Sequence, residues 1–197
     1  MQTKRWIVSI SLIIIVIGAI WVMYVKHPST IDVKLIGVKY QLGYEDVKSG
    51  IEPATVIIQG KVHTSLKRER IFKGVVRIVG EQIPVPQDQR NIEIHFSRDG
   101  WGSIAYPYFL YDERGTTVGA EIYQSHSIFA NKDFSQVTFL ITTPNQQSES
   151  EDGNLQTVWN TENGKMLSAP ATTREEALAL SNKLMREYLK PYGKSLR

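Results

Sequence analysis

The stretch "ATVIIQGKVHTSL", residues 54–66, decides how most of this chain is built. Val56, Ile58, Val62 and Leu66 recur at a period of two and share one face of an extended strand. Outward from it the same pattern continues. "IDVKLIGVKYQL" (31–42) is apolar and β-branched, and "RIFKGVVRIVG" (70–80) and "RNIEIHF" (90–96) alternate. In the last of these Ile92, Ile94 and Phe96 are expected inward, with Glu93 and His95 outward. Turn chemistry separates the runs: "RDGWG" at 98–102, "YDERG" at 111–115, "ANKD" at 130–133 and "NTENG" at 160–164. The polar, acidic stretch "PNQQSESEDGN" (144–154) lacks apolar anchors and reads as a loop.

Near the carboxyl end the period changes. "TTREEALALSNKLMREYLKPYG" (172–193) places Thr172 or Thr173 as a helix N-cap, with Glu175 or Glu176 three residues on. Ala177, Leu180, Ser181, Leu184 and Tyr188 make one stripe, widened by Leu178, Met185 and Leu189. Glu175, Asn182, Arg186 and Lys190 fall opposite, and Pro191 and Gly193 end the pattern. A broad apolar face of this kind is expected to pack on a sheet.

At the other end, residues 6–25 carry no charge, between Arg5 and Lys26. Twenty helical residues at about 1.5 Å each span roughly 30 Å, the hydrocarbon thickness of a bilayer. Trp6 stands at one end and Trp21 and Tyr24 at the other, where amphipathic rings favour the headgroup region. Ala19 is the only plausible cleavage point, flanked by bulky Ile20 and Trp21, so an uncleaved anchor is expected rather than a removed signal. Lys4 and Arg5 bias the tail inside.

The fold expectation is therefore α+β: one amino-terminal transmembrane helix, then a β-rich sandwich or curled-sheet domain with a carboxyl-terminal packing helix. Residues 1–5 form a cytoplasmic tail, 6–25 the span, 26–30 a linker, and 31–192 an extracytoplasmic domain that includes a helix at 173–190.

Composition narrows the function. Two of the 23 basic residues precede the apolar run, and the rest nearly balance the 20 acidic ones, so no nucleic-acid-binding face is indicated. The chain has no cysteine, which excludes disulfides, thiol nucleophiles and cysteine-ligated zinc.

Three stretches carry a resemblance: "FKGVVRIVG" with Pro84 (72–84), "IFANKDFSQVTFLI" (128–141) and "WNTENGKMLSAPATTREEALALSNKL" (159–184). In these the chain resembles an uncharacterised group of small single-pass membrane-anchored proteins of spore-forming Gram-positive bacteria. The resemblance implies an address, the cell envelope, and supplies no catalytic residue.

No catalytic motif emerges from the residues themselves. The histidines are His27, His63, His95 and His126, none at HExxH spacing. His63 and His95 lie on outward strand faces and are able to meet across neighbouring strands, though solvated histidines are the expectation. In "QSHSIF" (124–129) Ser125, His126 and Ser127 are adjacent, and neighbours on a strand point to opposite faces. The expectation is a protein without catalysis, cofactor or metal.

Binding is the more open possibility. "GWGSIAYPYFLY" (100–111) offers Trp101, Tyr106 and Tyr108 as candidate ligand-contacting aromatics, although a strand buried on both sides, between sheet and helix, is the expectation. Trp101, between two glycines, is expected in a turn, folded back as a lid on the core. "LKRER" (66–70), where a hairpin is expected to turn, offers Lys67, Arg68 and Arg70 to anionic headgroups or wall polymers, a solvated turn being the expectation for such a charge run. The reading is a membrane-anchored binding or scaffolding module of the bacterial cell envelope. It meets the cytoplasmic membrane through 6–25, with an envelope polymer or membrane protein as partner. The alternatives are an envelope hydrolase built from scattered carboxylates and an accessory subunit of a membrane complex.

Overall fold

Eight of the runs pair into one antiparallel sheet. The computed structural model describes residues 16, 28–43, 50–64, 69–149, 155–193 and 195–197. The strands are β1 (Ser29–Gln41), β2 (Glu52–Thr64), β3 (Arg70–Ile78), β4 (Ile92–Phe96), β5 (Trp101–Tyr111), β6 (Thr117–Ala130), β7 (Val137–Ile141), β8 (Thr143–Glu149), β9 (Leu155–Val158) and β10 (Lys165–Ala169). Their order in the large sheet is β4-β3-β2-β1-β10-β7-β6-β5, and β8 and β9 pair separately. The two edge strands β4 and β5 are consecutive in the chain. The Ser97 N–H donates to the Trp101 carbonyl at 2.8 Å in the turn between them, and a Cβ on Gly102 of β5 would lie 2.5 Å from the Ile94 side chain of β4, so the sheet curls into a near-barrel. Gly60 faces Gly74 in register between β2 and β3. A Cβ on Gly60 would lie 2.3 Å from the Lys73 carbonyl oxygen, so these backbones coil together more closely than side chains permit.

Alternation fills the interior. Val56, Ile58, Val62, Phe72, Val76, Ile92, Ile94, Phe96, Ile128 and Phe139 are buried in one cluster. Each such side chain removed from water stabilises the fold by about 1.5–3 kcal/mol before chain ordering is counted. One end is covered by the loop after β3. There Val85 is buried, and Arg90 donates to the carbonyls of Val85 (2.7 Å) and Ile83 (3.1 Å). The other end is plugged by Phe134 of the β6–β7 turn, its ring 5.3 Å from Phe72 and 5.5 Å from Phe96.

A second cluster lies outside the barrel wall. Helix α1 (Arg174–Leu184) and the short α2 (Arg186–Leu189) cover Val38, Tyr40, Phe129, Leu140 and Met166 with Ala177, Met185 and Leu189. Thr173 is the N-cap: its Oγ1 accepts from the Glu176 N–H at 3.2 Å. The Glu176 carboxylate reaches back to Thr172, accepting from its N–H and hydroxyl at 2.8 Å each. Between helix and sheet sits a buried hydroxyl network. Ser181 Oγ lies 2.6 Å from Tyr40 Oη and 2.7 Å from Ser168 Oγ, and Thr138 Oγ1 is 3.0 Å from Ser168 Oγ. Burial pushes the Tyr40 phenol up, partly offset by Ser168, Ser181 and Arg174. Ser181 thus interrupts the apolar stripe without leaving an unpaired group.

The structure departs from the sequence expectations at several points. The fold is not α+β: the described chain is mostly β, with two short helices. Of the two sheet arrangements expected, sandwich or curled sheet, the strands adopt the curled one, carried on to a near-barrel. The expected amino-terminal transmembrane helix is not seen. No helix among the described residues is long and apolar enough to cross a membrane, and residues 6–25, Val16 apart, lie outside them. The helix expected at 173–190 breaks at Met185, whose φ of −92° and ψ of 6° leave the helical region. Of the stretch expected as a loop at 144–154, residues 144–149 lie in strand β8, which pairs with β9, a pairing that polar composition alone conceals.

Candidate functional site

The β5–β6 hairpin starts inside the barrel wall and ends beyond it. β4 has five residues and β5 eleven, so the outer part of β5 has no β4 partner beside it. Within the wall Ile104 and Tyr106 point to the core, and the Tyr106 hydroxyl donates across the interior to the Val76 carbonyl at 3.2 Å. Past Tyr108, which still packs half-buried against the core cluster, both faces are open. Phe109 is 51 % exposed, Tyr111 54 %, Val118 64 % and Ile122 72 %, with Leu110 at 38 %. Pairing of Pro107 with Ile122 and Phe109 with Ala120 puts Phe109, Val118 and Ile122 on one face of the ribbon. Five large apolar side chains held out together differ from a lone exposed leucine and mark a surface made to be covered.

The ribbon is braced at its root. The short helical turn Gln87–Gln89 brings the Gln89 amide against the edge of β5. Its Oε1 accepts from the Phe109 N–H at 2.7 Å, and its Nε2 donates to the Phe109 carbonyl at 3.2 Å. On the other face the Tyr108 hydroxyl donates to Glu121, and that hydrogen bond, with some desolvation, raises the Tyr108 pKa.

The residues expected as ligand contacts scatter. Trp101 begins β5 instead of lying in a turn, and it packs half-buried against the helix cluster. Tyr106 is 2 % exposed, its pKa pushed up to about 12 by burial and then by the charge of Glu81. Tyr108 stands at the root of the ribbon. Lys67 and Arg68 lie outside the described residues. Arg70 is half-buried: it donates to the Asn131 carbonyl at 2.7 Å and the Ala130 carbonyl at 2.9 Å, and its guanidinium lies 4.6 Å from the Phe96 ring centroid. Arg70 is thus committed to closing the barrel end. The aromatic run is neither a flat platform nor a strand buried on both sides. It passes from one regime to the other past Tyr108.

His63 and His95 do not meet. Each is in register with Ile71 on β3, which stands between them, and the His95 Nε2 lies 2.8 Å from the Glu93 carboxylate. No group of three or more His, Cys, Asp or Glu able to hold a metal occurs among the described residues.

One polar pair was not foreseen. His126 Nε2 lies 2.6 Å from Glu81 Oε1, with the histidine side chain 10 % exposed. Ser103 pairs with Ser127 but Ala105 with Gln124, so β6 carries an extra residue here and both Ser125 and His126 are buried. Desolvation pushes the Glu81 carboxyl up, but the hydrogen bond from His126 and the charges of His126 and Lys39 outweigh it and hold the pKa below its ordinary value. His126 Nδ1 is buried with no hydrogen-bond partner among the described residues. A bulge leaves no signature in a period-two reading, which explains the omission.

Comparison with protein-family models, curated proteins and solved structures finds no match to this chain.

Proposed function

We propose that the protein is a membrane-tethered binding module of the bacterial cell envelope, and that its binding element is the outer part of the β5–β6 hairpin. The observation that carries this reading is the joint exposure of Phe109, Leu110, Tyr111, Val118 and Ile122 on a ribbon braced by Gln89. A rigid apolar ribbon covers a partner with little loss of its own conformational freedom. The uncharged run 6–25 supports the tether and, with the resemblance to envelope proteins of spore-forming bacteria, the placement outside the cytoplasmic membrane. The partner class is an envelope polymer or the outer part of a membrane protein.

The test is site-specific photocrosslinking in growing cells of a spore-forming Gram-positive bacterium. A photoreactive residue at Ile122 is expected to give a discrete adduct, lost when Phe109→Ser is added, whereas the same residue at exposed Ile36 gives none. Muramidase or protease sensitivity then separates polymer from protein. Equal, diffuse labelling at Ile122 and Ile36 would sink the reading.

A further inference from the structure

At the barrel end opposite the loop that carries Val85 lies a groove of about 1140 Å3. Its lining includes Arg70, Arg98, Lys132, Lys183 and Arg186, with Asp99 its only acid. Arg70 is occupied by backbone carbonyls. The other four cations are exposed. Lys183 donates to the Gln136 side chain at 2.9 Å, and Arg186 lies 3.6 Å from Glu187. Arg98, Lys132 and Lys183 have no carboxylate within ion-pair distance among the described residues. They come from three elements (the β4–β5 turn, the β6–β7 turn and α1) and converge on one rim.

Ser29, the first residue of β1, lines the same groove. It stands four positions after Val25, where the uncharged run ends, with Lys26 between them. Four residues span at most about 14 Å. The basic end is thus the end from which the chain leads back to its apolar run.

Resting on the membrane-tethered reading, we propose that this rim is a seat for anionic lipid headgroups, on which the barrel docks beside its own tether. Each basic residue near an anionic leaflet strengthens attachment roughly fivefold, and the effect is lost beyond a Debye length. A tether alone leaves the barrel free to tumble. The rim orients it, so that the Val85 end faces away from the bilayer.

The chain has no cysteine, so single labels are placed cleanly. The full chain is reconstituted in vesicles of phosphatidylcholine, with or without phosphatidylglycerol. Energy transfer to a headgroup dye is read from Thr64→Cys on the rim and Val118→Cys on the hairpin. Transfer from the Thr64→Cys label is expected to rise with phosphatidylglycerol at least twofold. That rise should disappear in about 0.5 M salt, where screening is short-ranged, and in Lys132→Gln/Arg186→Gln. Val118→Cys should show no such rise. Carbonate-resistant flotation of the chain with no lipid-dependent change at Thr64→Cys overturns the seat and leaves the tether standing. Absence of carbonate-resistant flotation overturns the tether, and the proposal with it. If soluble polyglycerol phosphate abolishes the rise at low concentration, the rim belongs to a wall polymer and the proposal fails.

Discussion

Glu81 and His126 contribute to how the domain responds to acid. The pair is held between the loop after β3 and the bulge in β6, and its net effect is a Glu81 carboxyl titrating below its ordinary 4.5. A carboxyl depressed in the folded state stabilises that state at pH above its unfolded value. The contribution is lost as pH falls through the folded pKa. Thermal melts below about pH 4.5 are therefore expected to fall more steeply for the parent than for Glu81→Gln, which has nothing left to protonate at this site. Identical acid slopes would show that the pair is not coupled to folding. His126→Ala leaves a partly buried carboxylate without its partner and is expected to cost roughly 1–3 kcal/mol at neutral pH in denaturant titration. Tyr106 behaves in the opposite sense. Its pKa is pushed up to about 12, so the folded state prefers the phenol and loses stability as pH rises from 10 toward 12. Absorbance titration at alkaline pH should show Tyr106 among the late-ionising tyrosines, and Tyr106→Phe should reduce the late amplitude by one phenol. At this scale the sequence was legible wherever alternation holds, as at Ile92, Ile94 and Phe96, all buried as expected. It was silent at His126, because one inserted residue reverses the facing of every neighbour and no residue type announces the insertion.

Among the elements, α1 was the most legible, since a capped amphipathic pattern carries both its start and its buried face. Ala177 is fully buried against the sheet, and Ala179, two positions on, is exposed. Ala177→Asp is expected to cost about 3 kcal/mol or more, a charge being forced against Tyr40 and its hydroxyl neighbours. Ala179→Asp is expected to cost under about 1 kcal/mol, the small propensity difference. Equal melting temperatures for the two variants would mean that the helix does not dock on this face. The break at Met185 was not legible, because its cause is tertiary: a fully buried methionine is seated in the helix cluster while the chain changes direction. The β5–β6 ribbon was misread for a related reason. Alternation tells which residues share a face, but not where the neighbouring strand stops. β4 ends after five residues, and that leaves Phe109 and Tyr111 in solvent.

For the molecule as a whole, two apolar clusters on opposite sides of one curved wall carry the stability, and the ribbon adds little to either. Replacing residues 109–120 by a two-residue turn is expected to shift the melting temperature by under about 4 °C, the scale of 1 kcal/mol in a domain of this size. The same deletion should abolish crosslinking at the ribbon. A collapse of the fold on deletion would assign the ribbon to the core. The β content and most strand positions were readable from period and turn chemistry; the choice between a sandwich and a sheet curled on itself was not. Closure depends on how far each strand is displaced along its neighbour, and that is fixed by pairs such as Gly60 with Gly74, which alternation does not weigh. The Gln89 clamp has a consequence at this scale too. An open strand edge bearing exposed aromatics is a template on which identical chains stack into cross-β fibrils. By occupying both backbone groups of Phe109, one glutamine denies a second molecule its first rung. Partners are then met through side chains and not through backbone annealing. Gln89→Ala should leave the melting temperature nearly unchanged and yet shorten the lag before thioflavin-positive assembly at high concentration.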